Sequence, residues 1–393
     1  MDKFFISKFL SELFSDTFEV HYWDGTSEKH GEGDIKFKIY IREKISKKDI
    51  LTDPFLAFGE AYMNNSIDFE GNIQEVIESV YKNEKSFLHN SSAFAKLYKI
   101  ASNSIKNSKE DIQYHYDLGN DFYKLWLDET MSYSCAYFRK EDNSLYEAQM
   151  NKIHHILKKL NLKSGDRLLD IGCGWGELII LAAKEYNVKA LGITLSQEQF
   201  NKVKERIKEN NLEGQVEVAL IDYRELIKKG EKFDKITSVG MIEHVGRENI
   251  PLYIKEIKDL LIPKGVGLLH CITAQKEGEA NQWIKRYIFP GGYIPSIREL
   301  VYNMGENDLH LIDLESLRLH YKKTLECWAE NFEKNIESIK QIKDDKFIRM
   351  WRLYLNSCAA SFHYGPIDVH QFLFTRGLNN ELPLTRESLY KYD

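Results

Sequence analysis

Apolar positions recur at helical spacing at the start of the chain, where Phe5, Phe9 and Leu13 share one stripe and Phe4, Leu10 and Phe14 the next. That pattern predicts an amphipathic helix, packed on the protein core or facing a membrane or partner surface. Strict alternation follows in IKFKIYIRE, which predicts a strand over 35–42. The segment DPFLAFGEAYMNNSIDFEG carries turn residues and then a small acidic stretch. Residues 73–106 read as helical, and the polar stretch 91–111 as a connecting helix or linker. Beyond about 111 the rhythm changes. A helix is predicted over 147–161, and then short apolar runs alternate with helical segments. The runs are DRLLDIG (166–172), VKALGITL (188–195), VEVALID (216–222), FDKITSVG (233–240) and VGLLHCI (266–272). The intervening helices are GELIILAAKEY (176–186) and SQEQFNKVKERIKENN (196–211). Such alternation predicts an α/β fold with a doubly wound, mostly parallel sheet. The last part of the chain reads as mainly helical, with an aromatic-rich insertion at 283–296.

Composition narrows the class. The 393 residues fit two or three domains, and the patterning divides them into 1–105 and 106–393, with a helical cap over about 274–393. Lys plus Arg is 54 against 60 for Asp plus Glu, a net charge of −6. That balance excludes a dedicated nucleic-acid binder, which carries a clustered basic excess. Five widely spaced cysteines without a CxxC form neither a disulfide framework nor a zinc site, so no metal is expected and a reducing, cytoplasmic compartment is. Lys8, Glu12 and Asp16 interrupt the N-terminal apolar stretch, which does not read as a signal peptide. No run approaches the ~18 apolar residues a membrane span needs.

The sharpest local chemistry is LLDIGCGWG, in which Gly172, Gly174 and Gly176 follow a strand and precede a helix. The spacing is neither G-x-G-x-x-G nor a P-loop. Glycines there let the backbone turn tightly and approach a ligand. Asp170, at the strand end, repels phosphate and suits an ammonium. These features resemble the S-adenosylmethionine loop of class I methyltransferases. At the second strand end Thr194 stands where such enzymes place an acid, with Gln199 one helical turn later. Asp222 and Tyr223 end the third strand, where an acid and an aromatic would meet an adenine; Asp222 is equally placed to cap a helix.

With further segments in order, the sequence resembles the cyclopropane fatty acid synthases, mycolic acid cyclopropane synthases included. The segments are HYDLGNDFY (115–123), MSYSCAYF (131–138), LDIGCGWG (169–176), GITLS (192–196), DYR (222–224), SVGMIEHVG (238–246), LLHCI (268–272), RYIFPGG (286–292) and HYKKTLECW (320–328). Arg286 replaces the usual polar residue of its segment. GEAYMNN (59–65) resembles the N-terminal domain of the longer, phospholipid-acting members. The resemblance implies methylene transfer from S-adenosylmethionine to a cis double bond in a membrane phospholipid, with bound bicarbonate as general base. It implies that Cys135 and Ile272 give backbone N–H groups to the bicarbonate, that His270 and Tyr321 donate from side chains, and that Glu243 accepts its hydroxyl. It also implies that Tyr133, Ser134, Gly172, Gly174, Thr194, Gln199 and Tyr223 contact S-adenosylmethionine. His115 and Asp117 lie in a strong motif but receive no chemical role, and His244 reads as structural.

An acyl chain of ~16 methylenes costs ~13 kcal/mol to move into water, so the enzyme is expected as a peripheral protein at the inner face of the membrane; the resemblance to the longer members implies a homodimer. Region 1–105 and the segment 276–296, with Lys285 and Arg286, are the expected membrane-facing or dimerising parts. The alternatives are a fatty-acyl C-methyltransferase, a small-amine N-methyltransferase and a non-catalytic lipid-binding protein of the same fold. The intact bicarbonate set argues against all three.

Overall fold

A computed structural model describes residues 3–83, 118–278 and 281–390. His115, Asp117, the whole of the expected 91–111 linker and the expected 73–106 helix beyond residue 83 lie outside the described residues. The chain divides into two compact units. The first takes the N-terminal region together with 281–290 and Leu325–Pro366; the second takes the remainder. The first unit thus includes segments that the sequence pattern assigns to a cap over about 274–393.

In the first unit, strands β1 (Phe18–His21), β2 (Ser27–His30), β3 (Phe37–Ile41) and β4 (Ile67–Glu70) form a sheet in the order β2-β1-β3-β4. The N-terminal helix Lys3–Leu13 turns Ile6 and Leu10 into the core beside Phe14, Phe18, Val20 and Ile39. Its apolar face is therefore core, although Phe4 stays exposed. Helix Asp345–Tyr364 packs on helices Pro54–Met63 and Ile73–Lys82. Trp283, from the aromatic-rich insertion, lies against Gly59, where any Cβ would come within 2.4 Å of its ring. The insertion's Arg286 pairs with Glu60 at 3.0 Å, so this cation is neutralised within its own unit.

The second unit holds seven strands: β5 (Arg167–Ile171), β6 (Lys189–Thr194), β7 (Val216–Leu220), β8 (Phe233–Val239), β9 (Leu261–Ala274), β10 (Leu309–Ser316) and β11 (Ile367–Arg376). Their order is β10-β11-β9-β8-β5-β6-β7. Strands β5 to β9 pair in parallel, and β11 is antiparallel to both neighbours. All five predicted parallel strands are present. The two missed strands, β10 and β11, fall in the part read as mainly helical. Strand β11 is buried along most of its length, yet its sequence IDVHQFLFTR sets Asp368, His370, Gln371 and Thr375 among the apolar residues, so it shows neither the strict alternation nor the continuous apolar run that marks a strand. One core, including Leu169, Ile236, Leu269 and Phe372, packs on helices Ile250–Leu260 and Ile297–Glu306. The other, including Leu168, Ala190, Leu268 and Leu373, packs on helices Leu145–Leu160, Glu177–Tyr186 and Gln197–Glu209. Chain order reverses between β5 and β8, and there the carboxyl ends of the strands open a ligand crevice.

Candidate functional site

The crevice is a cleft at the ends of β5, β6 and β8, walled by the 130–134 loop. Tyr133, Ser134, Asp170, Gly172, Gly174, Gly176, Thr194, Gln199, Asp222 and Tyr223 all line it. The turn after β5 is possible because Gly172, Gly174 and Gly176 take φ of +79°, +55° and +85°, left-handed backbone that side chains disfavour. A Cβ on Gly176 would also lie 2.9 Å from Val203. Asp170 is buried and accepts the Thr237 hydroxyl at 2.7 Å; burial pushes its carboxyl up to about 6. The Thr194 hydroxyl donates to Gln199 Oε1 at 2.7 Å, leaving the Gln199 amide N–H groups to face the cleft. Asp222 does both things its position allows. It lines the cleft, and it caps helix Tyr223–Lys228 while gripping Arg224 at 2.6 and 2.8 Å.

The loop wall is pinned by side chains. Gln149 donates to the carbonyls of Ser132 and Ser134 at 3.2 and 3.0 Å. Arg206 bridges the carbonyls of Thr130 and Trp175 at 3.2 and 2.9 Å and pairs with Glu177. Tyr133 packs on the rings of Tyr123 and Trp126.

Lys152 and His244 are among the cleft residues to which the sequence reading gave no role at the site. Lys152 is buried, with Nζ 3.0 Å from Ser134 Oγ, and burial pushes its ammonium down to about 8. The signal was present: Lys152 falls on the buried stripe of helix Leu145–Leu160, between Ala148 and Ile156. His244 also lines the cleft, and burial pushes its imidazole down to about 4.

The five residues of the expected second site lie beside the cleft and not in its lining. Each is tied to the next. The Ile272 N–H donates to Glu243 Oε1 at 2.7 Å. Ile272 pairs with Val369, whose carbonyl accepts the Leu317 N–H. The Leu317 carbonyl accepts the Tyr321 N–H and lies 3.8 Å from Cys135 Sγ. His270 shares a face of β9 with Ile272. Glu243 Oε2 is sealed from solvent without a hydrogen-bond partner, and desolvation pushes its carboxyl up to about 7. Burial holds the His270 imidazole neutral, down to about 3. Cys135 is buried and its thiol is pushed well up, so it is no thiolate nucleophile. The two sites share loops: Ser134 and His244 line the cleft, while their neighbours Cys135 and Glu243 belong to the second set.

Comparison with known proteins places the chain in a family. A family model described as mycolic acid cyclopropane synthetase matches residues 103–372, and one described as a domain of unknown function matches 5–92. A probable fatty acid methyltransferase of Pseudomonas putida is 40% identical over 351 residues, 87% of this chain and 88% of that protein. The cyclopropane-fatty-acyl-phospholipid synthase of Escherichia coli K12 is 41% identical over 274 residues, 69% of each chain. The solved structure of the mycolic acid cyclopropane synthase CmaA1 with SAH and CTAB superimposes with a TM-score of 0.65 at 34% identity, covering 70% of this chain and all of that one. The sheet order is that of the class I S-adenosylmethionine-dependent methyltransferases.

Proposed function

Since the chain belongs to the mycolic acid cyclopropane synthetase family, we propose that it transfers a methylene group from S-adenosylmethionine to the cis double bond of an unsaturated phospholipid acyl chain, closing a cyclopropane ring. The observation that carries this reading is the pair of adjoining sites. A cleft with a buried acid and a glycine turn suits the cofactor, and beside it a buried carboxylate has one oxygen without a partner. Transfer of a methyl group to an amine needs only the first site.

When bound, S-adenosylmethionine supplies an electrophilic methyl group and bicarbonate a proton acceptor for ring closure. The protein's part is to hold, orient and exclude water. Asp170 receives the cofactor's ammonium. Thr194 and Gln199 present polar groups to its ribose, and Asp222 and Tyr223 enclose its adenine. Around the base, Glu243 Oε2 would accept a hydroxyl, His270 and Tyr321 would donate, Cys135 would offer its backbone N–H, and Ile272, whose N–H donates to Glu243 Oε1, would hold that carboxylate in place. Glu243 suits this role because its orphaned buried oxygen costs free energy until a donor reaches it. Any aromatic face beside the acyl chain would stabilise positive charge on it by ~0.5–2 kcal/mol. The first unit, which lies mostly outside the 103–372 match, serves membrane contact at the inner face or homodimerisation.

The Pseudomonas putida relative favours a second reading, acyl C-methylation without ring closure. Mass spectrometry separates the two. The protein is incubated with S-adenosylmethionine and vesicles of cis-monounsaturated phospholipid, with and without bicarbonate. A fatty acid heavier by one methylene, saturated and bicarbonate-dependent, is the expected product. A product of the same mass that keeps a double bond establishes C-methylation, and no lipid product refutes both.

A further inference from the structure

Strand β11 carries a buried amide that neither site explains. Gln371 sits directly opposite His270 in the β9–β11 pair, and both side chains are sealed from solvent. Gln371 Nε2 lies 3.2 Å from His270 Nδ1. Its Oε1 is buried and without a hydrogen-bond partner. On its other side Gln371 faces Glu315 of β10, but Glu315 Oε2 is taken by His155 at 2.7 Å and Lys159 at 2.5 Å. The amide is thus committed to the imidazole.

We propose that Gln371 is a positioning residue: by donating to Nδ1 it fixes His270 in the tautomer that carries its proton on Nε2. A neutral imidazole has one donor nitrogen and one acceptor nitrogen, so an N–H held against Nδ1 makes Nε2 the donor. The reverse amide orientation would leave both buried N–H bonds unpartnered, where one N–H and the carbonyl oxygen are unpartnered now, and buried orphan N–H groups are rarer than orphan carbonyls. The tautomer matters because an imidazole fixed the other way would turn a lone pair toward an anion. The functional half of the proposal rests on the reading of His270 as an anion donor.

The test uses full-length protein labelled with 15N at histidine, with His270 assigned from a His270→Gln spectrum. In the wild type Nδ1 is expected as the pyridine-like nitrogen and Nε2 as the protonated one. In Gln371→Leu the Nδ1 resonance should move toward that of a lone pair without a donor. A proton on Nδ1 in the wild type, or an Nδ1 resonance unmoved by Gln371→Leu, overturns the proposal; the first of these does not require Gln371→Leu to fold. In the vesicle assay, Gln371→Leu should raise the bicarbonate concentration for half-maximal rate about tenfold, the size expected for one hydrogen bond to an ion, with the KM for S-adenosylmethionine unchanged. A parallel rise in both would mean general disruption and refute the positioning role. Tautomers as stated in a wild type indifferent to bicarbonate would refute the anion reading of His270 and leave the Gln371–His270 bond established.

Discussion

Glu243→Gln separates stability from catalysis, because the structure sets the size of each effect. Glutamine keeps the oxygen that accepts the Ile272 N–H and cannot ionise. In the wild type, desolvation lifts the carboxyl from the usual 4.5 to about 7. Between those values the folded chain holds a proton that the unfolded chain has lost, so stability falls as pH rises through that window. At ~1.36 kcal/mol per pH unit, the loss is about 3 kcal/mol once pH exceeds the folded value. Below pH 4.5 both states are protonated and nothing is lost. The unfolding free energy of Glu243→Gln minus that of the wild type should therefore grow by about 3 kcal/mol between pH 4 and 8. Urea titrations followed by tryptophan fluorescence measure it, and subtraction cancels the other titrating groups. Glu243 does not line the cleft, so calorimetry should find S-adenosylmethionine affinity nearly unchanged while turnover falls at least ~10²-fold. Parallel stability profiles would refute the buried, partnerless carboxylate, and unchanged turnover would refute its part in ring closure.

Two further substitutions probe the cleft. Gly176→Ala adds a Cβ 2.9 Å from Val203 at a φ of +85°, which should destabilise the fold by about 2 kcal/mol and weaken S-adenosylmethionine binding; an unchanged melting temperature and affinity would contradict the packing. Lys152→Met removes a buried cation whose value lies at about 8; wild-type affinity for S-adenosylmethionine should drop as pH rises past that value, while the variant binds about tenfold more weakly and without that dependence. Calorimetry on either side of pH 8 decides it, and identical curves would show that the Lys152 charge never reaches the ligand.

The strand-end residues of the cleft were legible because each lies where an apolar run stops. DIG, GIT and LID end β5, β6 and β7, and strand ends of a parallel sheet converge on one crevice. Lys152 was hidden because helix Leu145–Leu160 lies across the sheet face while its periodicity speaks only of burial. A lysine on a buried stripe is the trace such a residue leaves. Gln371 was hidden more deeply. Its meaning depends on the β9–β11 register, which sets it opposite His270 across 101 residues of sequence, and β11 itself read as helix. The capture of 281–290 and Leu325–Pro366 by the first unit is likewise a long-range packing outcome that no local pattern announces.

The two buried acids explain why the sites can adjoin without interfering. Asp170 ends β5 and is bonded to Thr237 of β8; Glu243 follows the end of β8. Burial raises both, but their surroundings differ. Asp170 has a donated hydroxyl and the nearby Lys152 charge, both of which favour its ionised form, and reaches about 6. Glu243 has only backbone N–H groups, those of Ile272 and of Glu243 itself, to oppose its desolvation, and reaches about 7. Near neutral pH Asp170 is then mostly charged, as an ammonium ligand requires, while Glu243 is poised between forms. Environments that part the values of neighbouring acids also part their roles. Loss of the Thr237 hydroxyl, which now holds Asp170 down, would bring the two values together and make the cofactor's ammonium compete with a proton at neutral pH.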